Sequence, residues 1–167
     1  MSADKMTWSS QGITAARAIL MASALAAAPL AANAAQGSTW SNAGGDRQNT
    51  RSQPSEHTLG VLNVNRLAVK WVLNTAGDVS ATPAVDADSV YVPDWAGYLY
   101  AVNRANGQVR WQVYLPSLTG TPFDKARATP AVSDDKIIVG TQGSILVPGG
   151  GPGGKVLAFN KFTGVLQ

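Results

Sequence analysis

The sequence predicts an all-β protein built from repeated four-stranded antiparallel units, and three observations support this fold class. The pentapeptide "ATPAV" occurs at 81–85 and again at 128–132, 47 residues later. Short runs rich in β-branched and aromatic residues follow each copy and are separated by turn-forming Gly, Pro, Asn and Asp residues. No stretch sustains the periodicity of an amphipathic helix. Four short strands repeating roughly every 40 to 50 residues are typical of β-propeller blades.

The first 34 residues predict an export signal. Lys5 and Arg17 precede an apolar, Ala-rich stretch of 13 residues at 18–30, and the small-residue sequence "ANA" ends at Ala34. Roughly 20 apolar residues are needed to span a bilayer. We therefore expect cleavage after Ala34, a periplasmic or secreted protein, and no membrane span after signal removal. A buried N-terminal helix is the alternative, although Pro29 favours cleavage.

The composition of the remaining residues excludes several classes of function. Residues 35–167 contain 11 basic and 9 acidic residues, a net charge of +2, which does not indicate nucleic-acid binding. Cysteine is absent, so the sequence has no disulfides, no thiolate metal site and no lipid-attachment cysteine. The single histidine, His57, lies in a polar segment without a metal-spaced partner and is expected on the surface.

The chain then divides into a polar segment, one isolated strand and two repeats. The polar segment covers 35–66, and "LAVKWVLNT" at 67–75 predicts a strand. In propellers a strand from the N-terminus often completes the last blade and removes its open edges, so we interpret 67–75 as a closing strand. The first blade is expected at 77–115 and a truncated second blade at 127–167. The strands predicted for the first blade are 81–85, 89–92, 98–103 and 108–113.

The second repeat carries a ten-residue, Gly-rich insertion. "GYLYAVN" at 97–103 matches "GKVLAFN" at 154–160, so the offset grows from 47 to 57 residues. The insertion and the residues after it read "GGGPGGKV", one residue short of a phosphate-binding loop, because Val156 replaces the required Ser or Thr. A strand-like run rather than a helix follows, so we interpret the insertion as a flexible hairpin loop.

The stretch "AVNRANGQVRW" at 101–111 resembles the tryptophan-docking motif of pyrroloquinoline-quinone (PQQ) propellers, A-x-D-x-x-T-G-x-x-x-W. The Gly of that motif ends a tight turn, and its Trp can pack between neighbouring blades, so the motif indicates blade packing rather than catalysis. The matching residues are Ala101, Gly107 and Trp111 in the first copy and Ala158, Thr163 and Gly164 in the second, with Asn103, Asn106 and Asn160 as departures.

The resemblance also bears on the end of the chain. In the second copy the docking Trp would fall one position after Gln167. We therefore expect the chain to be the N-terminal fragment of a propeller, which the resemblance implies has about eight blades. Two blades cannot surround a cofactor, so we expect the fragment alone to lack dehydrogenase activity.

Three longer stretches are similar to polyvinyl-alcohol dehydrogenases and related exported quinoproteins. They are "W-x-x-x-GGD-x-x-NTR" at 40–51, "GDVSATPAV" at 77–85 and "PDWAGYLYAV" at 93–102. This resemblance implies oxidation of an alcohol or polymer substrate with PQQ and calcium as cofactors and a cytochrome c as electron acceptor. The calcium ligands and the catalytic Asp are expected in later blades.

The resemblance places the cofactor near the residues that precede each innermost strand, here 77–80 and 126–129. In related quinoprotein alcohol dehydrogenases an Arg at the start of the second blade contacts the cofactor, and Arg127 has the corresponding place. A guanidinium can bind a cofactor carboxylate through two hydrogen bonds. Asp78 and Ser80 precede the first blade in the same way. For all three residues, an exposed position at a loop end is the alternative.

Two other classes of function compete with the dehydrogenase. One is a non-enzymatic propeller that binds partner proteins in the cell envelope, and the other is a ligand-sensing propeller. The missing lipid-attachment cysteine and the combination of "GDVSATPAV" with Arg127 favour the enzyme. The methanol-oxidising branch often has adjacent cysteines before this Arg, whereas the sequence here is "TPFDKARAT".

Overall fold

A computed structural model describes residues 39–46, 48–143 and 153–167, which form two antiparallel sheets. The first sheet (blade 1) has the order β1-β2-β3-β4, and the second (blade 2) has the order β5-β6-β7. This arrangement confirms the predicted all-β class. The elements are β1 Ala84–Val85, β2 Ser89–Pro93, β3 Tyr98–Asn103, β4 Val109–Tyr114, β5 Ala131–Val132, β6 Lys136–Gly140 and β7 Val156–Asn160, with a 3-10 helix at Val64–Arg66 and a short helix α1 at Leu115–Thr119.

Two sequence-based interpretations lie outside the described residues. These are the export signal at 1–34 and most of the Gly-rich insertion, 144–152. Both stay predictions. No helix in the described part of the chain is long and apolar enough to cross a membrane.

The burial of the strands follows from their position in blade 1. β3 is an interior strand of the sheet, and Leu99, Ala101 and Val102 are fully buried, as expected for a run covered on both faces. β4 is the outer strand, where half-buried and exposed side chains alternate along "VRWQVY". A shift in the pairing of β3 with β4 falls between Ala101 and Val102 and marks a β-bulge.

The fourth strand of blade 2 is present only as its first pairing. Phe159 and Leu166 form an isolated antiparallel bridge, and Asn160 N donates to Val165 O at 2.8 Å. In blade 1, Asn103 N donates in the same way to Gln108 O at 2.7 Å. The two turns therefore share one hydrogen-bonding pattern, which agrees with the repeat found in the sequence.

Trp111 packs between the two blades, as the docking motif predicts. Its Nε1 donates to Lys161 O at 2.9 Å, and its ring lies against the turn that follows β7. Gly164 in that turn has φ +73°, and a Cβ atom there would lie 2.8 Å from Trp111 Cδ2. Glycine is therefore required both by the backbone conformation and by the contact with the indole.

Residues 67–75 differ from the prediction, because the structure assigns them no strand. They form no β-ladder within the described residues, although alternate side chains such as Trp71, Leu73 and Thr75 are half-buried. Trp71 and Leu73 pack on the cluster of Val92, Tyr100 and Val102. A strand needs a hydrogen-bonding neighbour, and none is described beside this segment. The closing of a blade by 67–75 stays a prediction.

Trp71 nevertheless makes the same contacts with blade 1 that Trp111 makes with blade 2. Its Nε1 donates to Arg104 O at 3.0 Å, and a Cβ atom at Gly107 (φ +77°) would lie 2.8 Å from Trp71 Cδ2. The segment 67–75 thus lies against blade 1 as β4 lies against blade 2. The sequence does not mark Trp71 as a second docking tryptophan, because the Gly-containing half of the motif does not precede it.

Asp86, in the turn between β1 and β2, links the two blades. Its carboxylate accepts hydrogen bonds from the backbone N–H of Asp88 at 2.9 Å and Ser89 at 2.8 Å, and lies 3.2 Å from Lys161 Nζ. Burial pushes the pKa of Asp86 upward, but the Asp88 and Ser89 hydrogen bonds and Lys161 outweigh burial and hold this pKa below its usual value.

The lowered pKa of Asp86 predicts an acid-sensitive contribution to stability. The Asp86 carboxylate binds a proton less readily in the folded protein than in the unfolded chain. Its contribution to the free energy of unfolding is therefore present above about pH 4 and is lost as pH falls through the pKa of the folded protein. Urea unfolding of Asp86→Asn should show a deficit against wild type at neutral pH that shrinks in acid. The control is Asp135→Asn, since the exposed Asp135–Lys136 pair should contribute little. A deficit that does not change with pH would contradict the assignment.

Candidate functional site

The sheet order places the predicted site residues at one end of blade 1. Because its strands alternate in direction, the start of β1 lies at the same end as the turn between β2 and β3. That turn is "PDWAG", and the chain returns to the same end after β4 before entering blade 2. We call the end formed by residues 77–80, 94–97 and 124–127 the entrance face.

Trp95, in the turn between β2 and β3, brings the predicted residues together. Its indole Nε1 donates to Ser80 Oγ at 2.8 Å, and its backbone N donates to Asp78 O at 2.9 Å. The guanidinium carbon of Arg127 lies 4.5 Å from the centroid of the same ring. Residues that precede the innermost strands of both blades therefore meet at one side chain.

The role of Asp78 differs from that of the other two candidates. Its backbone oxygen anchors Trp95, whereas its carboxylate makes no hydrogen bond or ion pair in the part of the chain that the structure describes. Ser80 uses its hydroxyl as an acceptor, so its own O–H is available to donate. Arg127 is exposed and stacks on Trp95.

A second cation, Lys125, accompanies Arg127 on the indole. Its Nζ lies 5.2 Å from the Trp95 ring centroid. Within residues 39–46, 48–143 and 153–167, neither Lys125 nor Arg127 has a carboxylate at ion-pair distance. A cation–π contact at an exposed site contributes roughly 0.5 to 1 kcal/mol. The entrance face therefore holds two cations without a direct ion-pair partner among the described residues, beside the carboxylates of Asp78, Asp94 and Asp124, and these cations could contact an anionic ligand.

The turn that carries Trp95 is held by the buried carboxylate of Asp94. Asp94 is 0% exposed and accepts hydrogen bonds from Gly77 N at 3.0 Å, Tyr98 N at 2.8 Å and Tyr100 OH at 3.0 Å. Burial raises the pKa of Tyr100, and the neighbouring Asp94 adds to this shift, so the phenol stays a protonated donor. Asp94 thus ties the "PDWAG" turn to the segment before β1.

Metal-binding geometry is not found at this face. The described residues include no group of three or more His, Cys, Asp or Glu side chains that could hold a metal ion. His57 is exposed, in agreement with the expectation from the sequence.

Two residues of the entrance face, Trp95 and Lys125, are not among the candidates that the sequence indicates. Trp95 was interpreted only as part of a turn, because its contacts with Ser80 and Arg127 are not local. Lys125 could have been found from its spacing to Arg127, because residues two apart in an extended segment lie on the same side of the chain. The structure shows this arrangement, with Ala126 buried between the two cations.

Comparison with known proteins adds sequence relatives. The model of the PQQ_2 family, described as outer membrane protein assembly factor BamB, matches residues 58–167. A polyvinylalcohol dehydrogenase from Pseudomonas sp is 34% identical over 73 residues, which cover 44% of this chain and 11% of that protein. The chain thus spans about a tenth of the length of this curated relative.

Solved structures show the same fold. A europium-containing methanol dehydrogenase aligns with a TM-score of 0.51 and 20% identity, over 63% of this chain and 19% of that chain. A quinohemoprotein alcohol dehydrogenase from Comamonas testosteroni aligns with a TM-score of 0.50 and 22% identity, over 81% of this chain and 27% of that chain. At these identities the likeness concerns the fold alone.

Proposed function

The chain belongs to the PQQ_2 family, and from this premise we propose that it forms part of the propeller of a PQQ-dependent alcohol dehydrogenase. The observation that carries the proposal is the gathering of Arg127, Lys125 and Ser80 around Trp95 at the entrance face. The 34% identity with a polyvinylalcohol dehydrogenase supports this choice within the family. Under this proposal the substrate is an alcohol or a polymer of alcohol units, and a cytochrome c accepts the electrons.

The side chains of the entrance face fit the chemistry of the cofactor. PQQ carries three carboxylates, and the face presents two cations without acidic partners. Arg127 would bind a carboxylate through two parallel hydrogen bonds, and Ser80 would donate its free O–H. When bound, PQQ accepts the hydride equivalent that the alcohol carbon loses. We assign none of the described residues to calcium.

Export belongs to the same proposal and rests on the sequence of residues 1–34. A cytochrome acceptor and a polymeric substrate both suit a protein outside the cytoplasm. A mature protein that begins at Ala35 would be the direct check, and a mature protein that retains Met1 would contradict export by cleavage.

Arg127→Ala should raise the dissociation constant of PQQ at least tenfold, which corresponds to roughly 1.4 kcal/mol. An Arg–carboxylate pair at ~4 Å provides roughly 4 kcal/mol at an effective dielectric of about 20, and desolvation offsets part of it. The measurement is fluorescence titration of the cofactor-free, full-length protein with PQQ. Arg110→Ala is the matched control, because Arg110 contacts Asp88 O at the opposite end of blade 1. Equal titration of Arg127→Ala and wild type would remove Arg127 from the site.

A second candidate function follows from the description of the family. Its model is named for an outer membrane protein assembly factor, which favours a propeller that binds partner proteins without a cofactor. The same titration separates the two functions. Saturable binding of PQQ by the wild-type protein supports the dehydrogenase, whereas its absence supports the assembly-type propeller.

A further inference from the structure

The unusual feature of the entrance face is that two cations share one indole. Lys125 Nζ and the Arg127 guanidinium carbon lie 5.2 and 4.5 Å from the Trp95 ring centroid. Like charges repel, and neither cation forms a direct ion pair with a carboxylate of the described residues. Two cations that share one indole are complementary to a ligand that carries more than one negative charge.

The backbone that carries the two cations is fixed. Ala126 between them is buried and forms an isolated antiparallel bridge with Thr141, and Gln142 N donates to Lys125 O at 3.0 Å. Because Ala126 points into the core, the side chains on either side of it project away from the core. Lys125 and Arg127 therefore lie on the Trp95 side as a consequence of the chain path.

The indole is fixed as well. Its Nε1 is bonded to Ser80 Oγ and its backbone N to Asp78 O, and the preceding residue is the buried Asp94. The ring thus spans from the segment that precedes β1 to the segment that precedes β5. A flexible lysine placed on such a ring loses less freedom when it binds a ligand.

We propose that Lys125 and Arg127 form a two-cation receptor for a ligand that carries at least two carboxylates, with Trp95 as its positioning residue. This inference rests on the proposed function for the identity of the natural ligand, PQQ. It adds Lys125 as a second binding residue. It also assigns Trp95 the role of positioning both cations for one ligand.

The first test compares ligands that differ only in carboxylate charge. The cofactor-free, full-length protein is titrated with PQQ and with its trimethyl ester. Lys125→Met should raise the PQQ dissociation constant about tenfold, about 1.4 kcal/mol, and should leave that of the ester unchanged. Lys136→Met is the control, because Lys136 lies on β6, outside the entrance face, and is paired with Asp135. Unchanged PQQ affinity in Lys125→Met overturns the receptor.

The second test concerns the positioning role of Trp95. Trp95→Leu removes the ring and should weaken PQQ binding at least as much as Lys125→Met, with no change for the ester. Trp95→Phe keeps an aromatic face, so it should restore PQQ affinity to within about threefold of wild type. An effect of Trp95→Leu that is equal for PQQ and its ester would show a merely structural role and overturn this part of the proposal.

A third measurement separates this inference from the proposed function. Pyridine-2,6-dicarboxylate and pyridine-2-carboxylate are added to the cofactor-free protein, and the side-chain NMR resonances of Lys125 and Arg127 are followed. Tighter binding of the dicarboxylate that is lost in Lys125→Met supports the receptor. If this occurs while PQQ does not bind, the receptor stands and the proposed cofactor is wrong. If neither pyridine carboxylate shifts these resonances, the receptor is overturned.

Discussion

Asp94→Ala is expected to lower the free energy of unfolding by about 3 to 5 kcal/mol. The buried carboxylate accepts hydrogen bonds from three donors, Gly77 N, Tyr98 N and Tyr100 OH. Alanine leaves these donors without an acceptor, and each buried unsatisfied donor costs roughly 1 to 3 kcal/mol. Asp94→Asn keeps the shape and one acceptor oxygen, so its loss should be about half as large. Urea unfolding of the full-length protein measures both.

The same substitution should also weaken the entrance face. Asp94 joins the Trp95 turn to Gly77, so its removal frees the turn that holds Ser80 and both cations. We therefore expect weaker PQQ binding in Asp94→Asn, although the side chain of Asp94 is fully buried. Asp88→Ala is the control for both effects, since Asp88 is exposed in the turn at the opposite end of blade 1. A destabilisation below about 1 kcal/mol in Asp94→Ala would contradict this account of the turn.

Trp111→Ala is expected to cost about 3 kcal/mol, because it removes the aromatic contact between the blades. The ring lies 6.1 Å from that of Tyr91, contacts Gly164 and joins the core cluster that includes residues of both blades. Trp111→Phe keeps part of this packing and loses the hydrogen bond to Lys161 O, so we expect a loss of about 1 to 2 kcal/mol.

Gly164→Ala tests the same contact from the other side. Alanine there would need a positive φ and would place Cβ 2.8 Å from Trp111 Cδ2, so it should also destabilise the protein. Val109→Ala on β4 is the control, because Val109 is partly exposed and lies outside both hydrophobic clusters. If the free energy of unfolding of Trp111→Ala is not lower than that of Val109→Ala, a docking role for Trp111 is contradicted.

Features carried by neighbouring residues could be predicted from the sequence. The strands of blade 1 follow from runs such as "YLYAVN", and the turn before β4 follows from Gly107, whose φ is +77°. The docking role of Trp111 follows from its fixed distance to that glycine in the motif. In each case the pattern that identifies the element lies within a few residues of it.

Contacts between distant residues could not be predicted in this way. Trp71 bonds to Arg104, 33 residues away, and nothing beside it in the sequence marks that partner. The strand predicted at 67–75 shows the converse case. A strand is formed by hydrogen bonds to a neighbour, and the described residues supply none beside this segment.

For the candidate site, the sequence pattern indicates which segments precede the innermost strands, and the resemblance to quinoprotein dehydrogenases singles out Asp78, Ser80 and Arg127 within them. The contacts of Trp95 with Ser80 and Arg127, the use of the Asp78 backbone oxygen and the place of Lys125 beside Arg127 are visible only in the folded chain. The physical reason is that local sequence sets backbone conformation and the side on which a residue lies. Which side chains meet at the entrance face depends on how the two sheets pack. That packing is set by contacts between residues that are far apart in the sequence.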